Sequence, residues 1–316
     1  MVTDGVLAGG NIELVWDACD RAAWERHLAA CGRSSLEQSW AYGEAVAACS
    51  RRLVRRGLAF CDGRPVALVQ VFEAGAGRPL TLAQAVRGPL WLGPVDAALR
   101  LVVCRALKQR YLLRRRRLLL WMPELPDGPD SEALMRRCGL RRMVTGHSTI
   151  WLDLGLTEAE LRRGLRGNWR SMLSAAEAGG LELRCGDAQL DWLLDAHDAF
   201  RRRARFLGPS GAFVRALAAA APDSLLVLCA YAGGRPVAGV LAAMHGCSAT
   251  YYLGVTTPDG RRLRAHNLLL WNALLALKAR DIAWLDLGGV DARTPGVARF
   301  KLGLGGELCT LSGSYL

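Results

Sequence analysis

LAFCDGRPVALVQV, residues 58–71, and VLCAYAGGRPVAGVLA, residues 227–242, carry the same pattern twice. Gly63-Arg64-Pro65-Val66-Ala67 recurs as Gly234-Arg235-Pro236-Val237-Ala238, 171 residues further on. Each copy is an apolar run, a tight glycine-containing turn and a second apolar run, which is the signature of a β-hairpin. Ala106-Leu107-Lys108 recurs as Ala276-Leu277-Lys278 at an offset of 170, inside helical patterns that lead into LLLWM (118–122) and IAWLDLG (282–288). Two matches at nearly one offset point to a duplication. Each half then reads hairpin, further strand, helix, strand: an α/β (α+β) fold in two tandem copies, each a mixed, mostly antiparallel sheet with flanking helices.

The chain length of 316 residues suits two such domains. The expected division is 1–153 and 154–316, with an inter-domain helix over about 157–178 and a last strand able to pack back on the first domain. Thr157 with Glu160 offers a capping box for that helix, and Gly179-Gly180 its stop. Ser34 and Ser35, with Glu37 and Gln38 three residues later, offer another at the start of LEQSWAYGEAVAAC. A hydrophobic content of 51% excludes a disordered chain. The ten cysteines are never closer than twelve residues, which excludes CxxC redox motifs and zinc knuckles. Their apolar surroundings and the absence of a basic N-terminal leader point to a reduced, cytoplasmic protein. The uncharged stretch from Pro236 to Pro258 holds His245 with several glycines and threonines and reads as consecutive strands, not a membrane span.

The net charge is +12, and only three of the 41 basic residues are lysines: Lys108, Lys278 and Lys301. Such a balance suits acidic partners, namely nucleic acid, phosphorylated substrates or an anionic membrane surface, and genome-wide arginine bias accounts for it equally well. Arg114–Arg117, in YLLRRRRLLLW, is the densest basic run. GxSxG, Walker A and HExxH motifs are absent, and the five histidines show no metal-ligand spacing, so no metal site is expected. The informative block is LDLGGVDARTPGVARFKLGLGGEL, residues 285–308. A strand ends in Gly288-Gly289, a loop follows with Asp291, and Phe300-Lys301 enter a glycine-rich turn. Glycines let backbone approach a ligand, and a lysine between them places positive charge where negative charge develops in a reaction.

This block resembles the C-terminal signature of the FemAB/FemX family of peptidoglycan-bridge aminoacyl-tRNA transferases, a pattern close to DLGGxD…PGxxRFKxGxGGE. LEQSWAYGEA (36–45), VRGPLWLGP (86–94) and the stretch 149–183 resemble other family segments in the same order. The resemblance implies two GNAT-like domains without a coiled-coil arm. It also implies attack of an acceptor amine on the ester carbonyl of an aminoacyl-tRNA, with no cofactor beyond that co-substrate. Lys301 matches the lysine assigned to oxyanion stabilisation and tRNA-end binding, and Phe300 its aromatic neighbour. Asp291 is a candidate proton acceptor or a loop-capping residue. Gln38 and Trp40 match the acceptor groove, Arg170 a residue facing acceptor-end phosphate, and Gly288 and Gly289 the substrate-lining turn. Arg261, Arg262, Arg264 and Asn267 stand where GNAT folds bind pyrophosphate, at a helix N-terminus. Where family members often carry a basic residue after the QSxxW start, this chain has Gly43 and Glu44, a departure that bears on whether its acceptor is the usual muropeptide. Expected partners are the aminoacyl-tRNA acceptor end and a muropeptide or small-molecule amine, with peripheral contact to anionic membrane and no stable protein partner. Two alternatives remain beside this reading: an acyl-CoA-dependent N-acyltransferase and a non-catalytic basic binder of tRNA or membrane.

Overall fold

The computed structural model describes residues 11–75, 80–205, 208–290 and 294–316. The chain forms two compact units, one running to His147 and including Thr310–Leu316, the other spanning Ser148–Cys309.

The first unit opens with β1 (Ile12–Trp16), α1 (Arg21–Ala29) and α2 (Trp40–Cys49). The hairpin follows as β2 (Arg52–Cys61) and β3 (Arg64–Ala74), then β4 (Thr81–Val86), β5 (Leu90–Trp91), α3 (Ala97–Arg110), β6 (Arg117–Met122), α4 (Pro129–Arg137) and β7 (Arg142–Val144). The cap of α2 is Ser39, whose hydroxyl accepts from Tyr42 N at 3.2 Å, and not Ser34 or Ser35. Residues 36–38 instead form a short 3-10 turn ahead of it, and the Ser35 hydroxyl donates to Arg87 O.

The second unit contains β8 (Ser148–Asp153), α5 (Glu158–Gly164), α6 (Gly167–Glu177), β9 (Glu182–Cys185), α7 (Leu190–Ala204) and α8 (Gly211–Ala220). Its hairpin is β10 (Leu225–Ala232) and β11 (Arg235–His245), followed by β12 (Ser248–Thr256), α9 (Pro258–Arg262), α10 (Ala265–Lys278), β13 (Trp284–Asp286), α11 (Pro295–Leu302) and β14 (Glu307–Thr310). The final strand, β15 (Ser314–Tyr315), joins the first sheet between β6 and β7.

The duplication extends to backbone detail. Asp62-Gly63 and Gly233-Gly234 both turn their hairpins with two consecutive positive φ angles, 49° and 78° in one and 55° and 73° in the other. That conformation matches the twist of the flanking strands. Both ladders then shift register at one corresponding place, between Ala59 and Phe60 and between Ala230 and Tyr231. Val66 and Val237 are the extra residues of these bulges, and Pro65 and Pro236 lie beside them, where a missing N–H costs the ladder least. In each half a helix then crosses back to a parallel strand, α3 joining β4 to β6 and α10 joining β12 to β13.

The domain division falls at 147/148, not 153/154. β8 pairs antiparallel with β13, Leu152 opposite Leu285, because its Ile150, Trp151 and Leu152 are all buried and belong with the second sheet. The helix expected over 157–178 is two helices. Its capping box forms as expected, with Glu160 N donating to the Thr157 hydroxyl and Thr157 N donating to the Glu160 carboxylate. Leu165 and Arg166 then take extended backbone between Gly164 and Gly167, two poor helix formers. All ten cysteines are free thiols. No helix among the described residues is long and apolar enough to cross a membrane.

Gly234→Val places a β-branched residue at positive φ with open space around it, so its cost is backbone strain alone, about 1–3 kcal/mol. The unfolding free energy of the variant is expected to fall by that amount, seen as a lower urea midpoint with an unchanged m value.

Candidate active site

The site grows from the place where β12 and β13 part. Their parallel pairing covers Ser248 with Trp284, Ala249 with Leu285 and Thr250 with Asp286, and goes no further. Beyond it β12 continues through Tyr251, while the chain after Asp286 turns away from β12 at Gly288, whose φ is +69°, and stays bonded to β8 through Val290 N and Ser148 O. The Asp286 side chain holds that turn. It is fully buried, and its Oδ1 accepts from Gly288 N at 2.8 Å and from the Thr149 hydroxyl.

Lys301 fills the opening. It sits in the last turn of α11, a helix, where the sequence suggested entry into a glycine-rich turn. Its Nζ donates to Gly289 O at 2.9 Å and lies 5.7 Å from the centre of the Tyr251 ring. A Cβ on Gly288 would stand 3.8 Å from that Nζ, in ordinary contact, so it is the positive φ that calls for glycine here. Burial pushes the Lys301 pKa down to about 8, and the Asp286 carboxylate partly opposes the shift. Lys301 is therefore a cation at pH 7 that releases its proton far more readily than an exposed lysine.

An aromatic wall surrounds it. The Tyr251 hydroxyl and His266 Nε2 share a hydrogen bond of 2.8 Å, the imidazole tautomer setting which of them donates. This contact needs Gly254, because a Cβ there would overlap the Tyr251 hydroxyl. The ring nitrogens of His266 are enclosed, and desolvation pushes its pKa down to about 4, so it is neutral at pH 7. Phe300 packs edge-on to His266 at 5.7 Å and against Trp169 at 5.8 Å. His266 Nδ1, Asn267 Nδ2 and Trp169 Nε1 are buried without a hydrogen-bond partner. Buried polar atoms left open in this way suit polar groups of a bound ligand.

Of the residues singled out from the sequence, the structure brings together Phe300, Lys301, Gly288 and Gly289. Asp291 lies outside the described residues. Arg170 donates through Nη2 to Arg163 O and Leu165 O, both at 2.9 Å, and so closes the C-terminal end of α5. Arg261, Arg262 and Arg264 are exposed around the start of α10, with Arg262 paired to Asp259 at 3.0 Å. Asn267 separates from them, because its side chain is buried in the second core.

Gln38 and Trp40 belong to the first unit. The Gln38 amide is fully buried and donates to Gln70 O and Val86 O, while its oxygen accepts from Gln70 N. It therefore braces β3 against the end of β4 and has no donor left for an acceptor substrate. Trp40 lies under the Arg56 guanidinium, 3.5 Å from the ring centre, and Arg56 also bonds Gln70 and Glu44. A Cβ on Gly43 would stand 2.6 Å from Arg56 Nη2. The basic group missing from the sequence after the QSxxW start is thus supplied in space by Arg56 of β2.

Sequence reasoning missed Tyr251, His266, Trp169 and Asp286. Asp286 was visible as the acid of the DLGG block. His266 carried no signal, since its meaning depends on a tyrosine fifteen residues away in a neighbouring strand. Among the described residues no group of three His, Cys, Asp or Glu side chains is placed to hold a metal ion.

Residues 159–302 match the acetyltransferase (GNAT) domain family. The solved structure of FemX is similar over 95% of this chain and 96% of its own, with a TM-score of 0.79 at 13% identity. A conserved protein of unknown function from Bacteroides thetaiotaomicron is similar over 96% and 98%, with a TM-score of 0.64 at 11% identity. A tandem GNAT protein from the clavulanic acid biosynthesis pathway covers 96% and 98%, with a TM-score of 0.53 at 14% identity. No curated protein sequence matches the chain. The fold is the FemX-like tandem GNAT fold, as the sequence resemblance implies.

With three lysines in the chain, Lys301 is directly observable by carbon-13 NMR of labelled lysine. Asp286→Asn removes the charge that favours its ammonium form, so its titration midpoint is expected below about 8 in the variant. An unchanged midpoint would show that the two groups are not coupled.

Proposed function

We propose that this FemX-like tandem GNAT-fold chain is an N-aminoacyltransferase that moves an amino acid from aminoacyl-tRNA to an acceptor amine, on a peptidoglycan precursor or a small amine metabolite. The observation that carries this reading is the Lys301 ammonium, held by Gly289 O at the parted ends of β12 and β13. The fold likeness to FemX over nearly the whole chain supports it.

The donor ester is already activated, so the task is to orient an amine and to stabilise the tetrahedral oxyanion. The amine nitrogen bonds to the ester carbonyl carbon, whose oxygen becomes the oxyanion beside Lys301. Collapse breaks the bond to the ribose oxygen, and tRNA leaves as its free hydroxyl. The amine proton lost on attack balances the one gained by that oxygen. Phe300, packed between His266 and Trp169, shapes the wall of the pocket and is a further catalytic-site residue in this reading. Exposed Arg261, Arg262 and Arg264 meet the phosphates of the acceptor end.

Lys301→Met is expected to lower kcat about 10²–10³-fold. Its thermal stability should be retained, because an apolar side chain of similar length replaces a desolvated charge. The wild-type rate should fall as pH rises through about 8, since the oxyanion needs the ammonium form of Lys301. A rate that instead rises through that pH would assign Lys301 the role of proton acceptor.

An acyl-CoA donor is the second reading, favoured by the match to the acetyltransferase (GNAT) domain family. Transfer from charged tRNA that RNase abolishes supports the first, whereas transfer from acetyl-CoA that survives RNase supports the second. Changing Arg261, Arg262 and Arg264 together to Gln should raise KM for charged tRNA about tenfold and leave kcat unchanged. The salt dependence of binding should also flatten, by about 0.7 in log–log slope for each phosphate that is no longer neutralised.

A further inference from the structure

One end of the first sheet collects exposed leucines beside unpaired arginines. The register places the start of β2, the end of β3 and the starts of β4 and β6 at that end, with Arg52 opposite Ala74, Ala74 opposite Leu82, and Thr81 beside Arg117. Four of the twelve exposed large apolar side chains of the described residues lie here: Leu53 at 50% exposure, Leu80 at 41%, Leu82 at 48% and Leu113 at 68%. Leu113 opens the short turn that carries Arg114–Arg117, and this turn is fastened to the sheet by Thr81 N donating to Arg116 O and Arg117 N donating to Leu112 O. None of these four arginines pairs with a carboxylate among the described residues. Glu73, the acidic residue of the same strand ends, is buried and receives the Tyr111 hydroxyl, with Arg55 and Arg110 beside it.

We infer that this end of the first unit is a docking surface for an anionic lipid bilayer. Four exposed leucines crowd this one end, with Leu82 on one face of the sheet and Leu53 on the other, so a partner that takes up the end of the sheet as a whole must offer an apolar medium to both faces where the positive charge is densest. Leucines entering the boundary between headgroups and acyl chains, with arginines reaching lipid phosphates, satisfy both at once. An RNA backbone would satisfy the arginines and leave the leucines exposed, so the leucines decide between the two partners. Membrane docking of this kind is independent of the transfer reaction.

The full chain should co-sediment with phosphatidylcholine vesicles containing about one third phosphatidylglycerol, and bind pure phosphatidylcholine vesicles at least about tenfold more weakly. Leu113→Ser with Leu82→Thr keeps every arginine and should reduce binding to the mixed vesicles about tenfold. Changing Arg114–Arg117 to Gln should do the same and remove the salt dependence. Circular dichroism and melting temperature are expected to be unchanged in both, as the altered side chains are exposed apart from the half-buried Arg117, which Arg114→Gln, Arg115→Gln and Arg116→Gln together leave in place, and Leu113→Ser alone serves if the pair disturbs β4. Absence of binding to the mixed vesicles, or binding that the leucine substitutions leave untouched, overturns the assignment. So does an arginine variant that loses only tRNA binding, or a leucine variant that converts a dimer to a monomer without altering vesicle binding.

Discussion

The buried carboxylate of Asp286 is the constraint on which the candidate site depends. It sits at the last paired position of β13, accepts the Gly288 amide and the Thr149 hydroxyl, and lends charge to Lys301. A carboxylate taken out of water is tolerated only when its oxygens are satisfied, and here one of the bonds that satisfy it also holds the turn that carries the chain away from β12. Lysine carries a desolvation penalty in that opening, which the nearby negative charge reduces without cancelling. The outcome is a cation close to its titration point, at about ten ammonium ions per amine at pH 7. Such a group is responsive to charge appearing beside it, as a tetrahedral oxyanion would.

The two halves show how one ancestral arrangement reaches two ends. In the first unit β4 and β6 stay paired over six positions, Thr81 with Arg117 through Val86 with Met122. In the second, β12 and β13 pair over three. Where the first unit's β3 and β4 part beyond Val71, the Gln38 amide bridges Gln70 to Val86, and Arg87 closes on Glu124 at 2.7 Å. The first unit thus seals its strand ends with side chains from the segment before α2. The second leaves them parted, with Lys301 buried between them.

Local signals were legible in the sequence, and contacts between distant segments were not. Asp62-Gly63 and Gly233-Gly234 specify their turns through backbone sterics alone, and Pro65 and Pro236 mark the bulges for the same reason. Lys301 stood out because glycines flank it and arginine replaces lysine almost everywhere else. Gln38 looked like a ligand-binding amide, since no local rule shows that Gln70 and Val86 will bring three backbone groups to it. The helix after Thr157 begins where its capping box predicts, yet its break at Leu165 has no comparable signal, because two isolated glycines weaken a helix without ending it. Tyr251 and His266 were invisible as a pair: their contact exists only through Gly254 and the entry of α10.

Arginine abundance then takes on a different meaning once each guanidinium is placed. Arg56 lies on Trp40 and bonds Gln70 and Glu44, Arg87 closes on Glu124, and Arg170 caps α5. Arg56 and Arg87 hold their charge inside the fold, and the exposed Arg170 completes a backbone. Arg114–Arg117 and Arg261–Arg264 differ in kind, being carried on short exposed turns with little acidic company. A net charge of +12 therefore describes neither population well. Positive charge in the exposed sets stays in contact with solvent and is therefore salt-sensitive, whereas that of Arg56 and Arg87 is not.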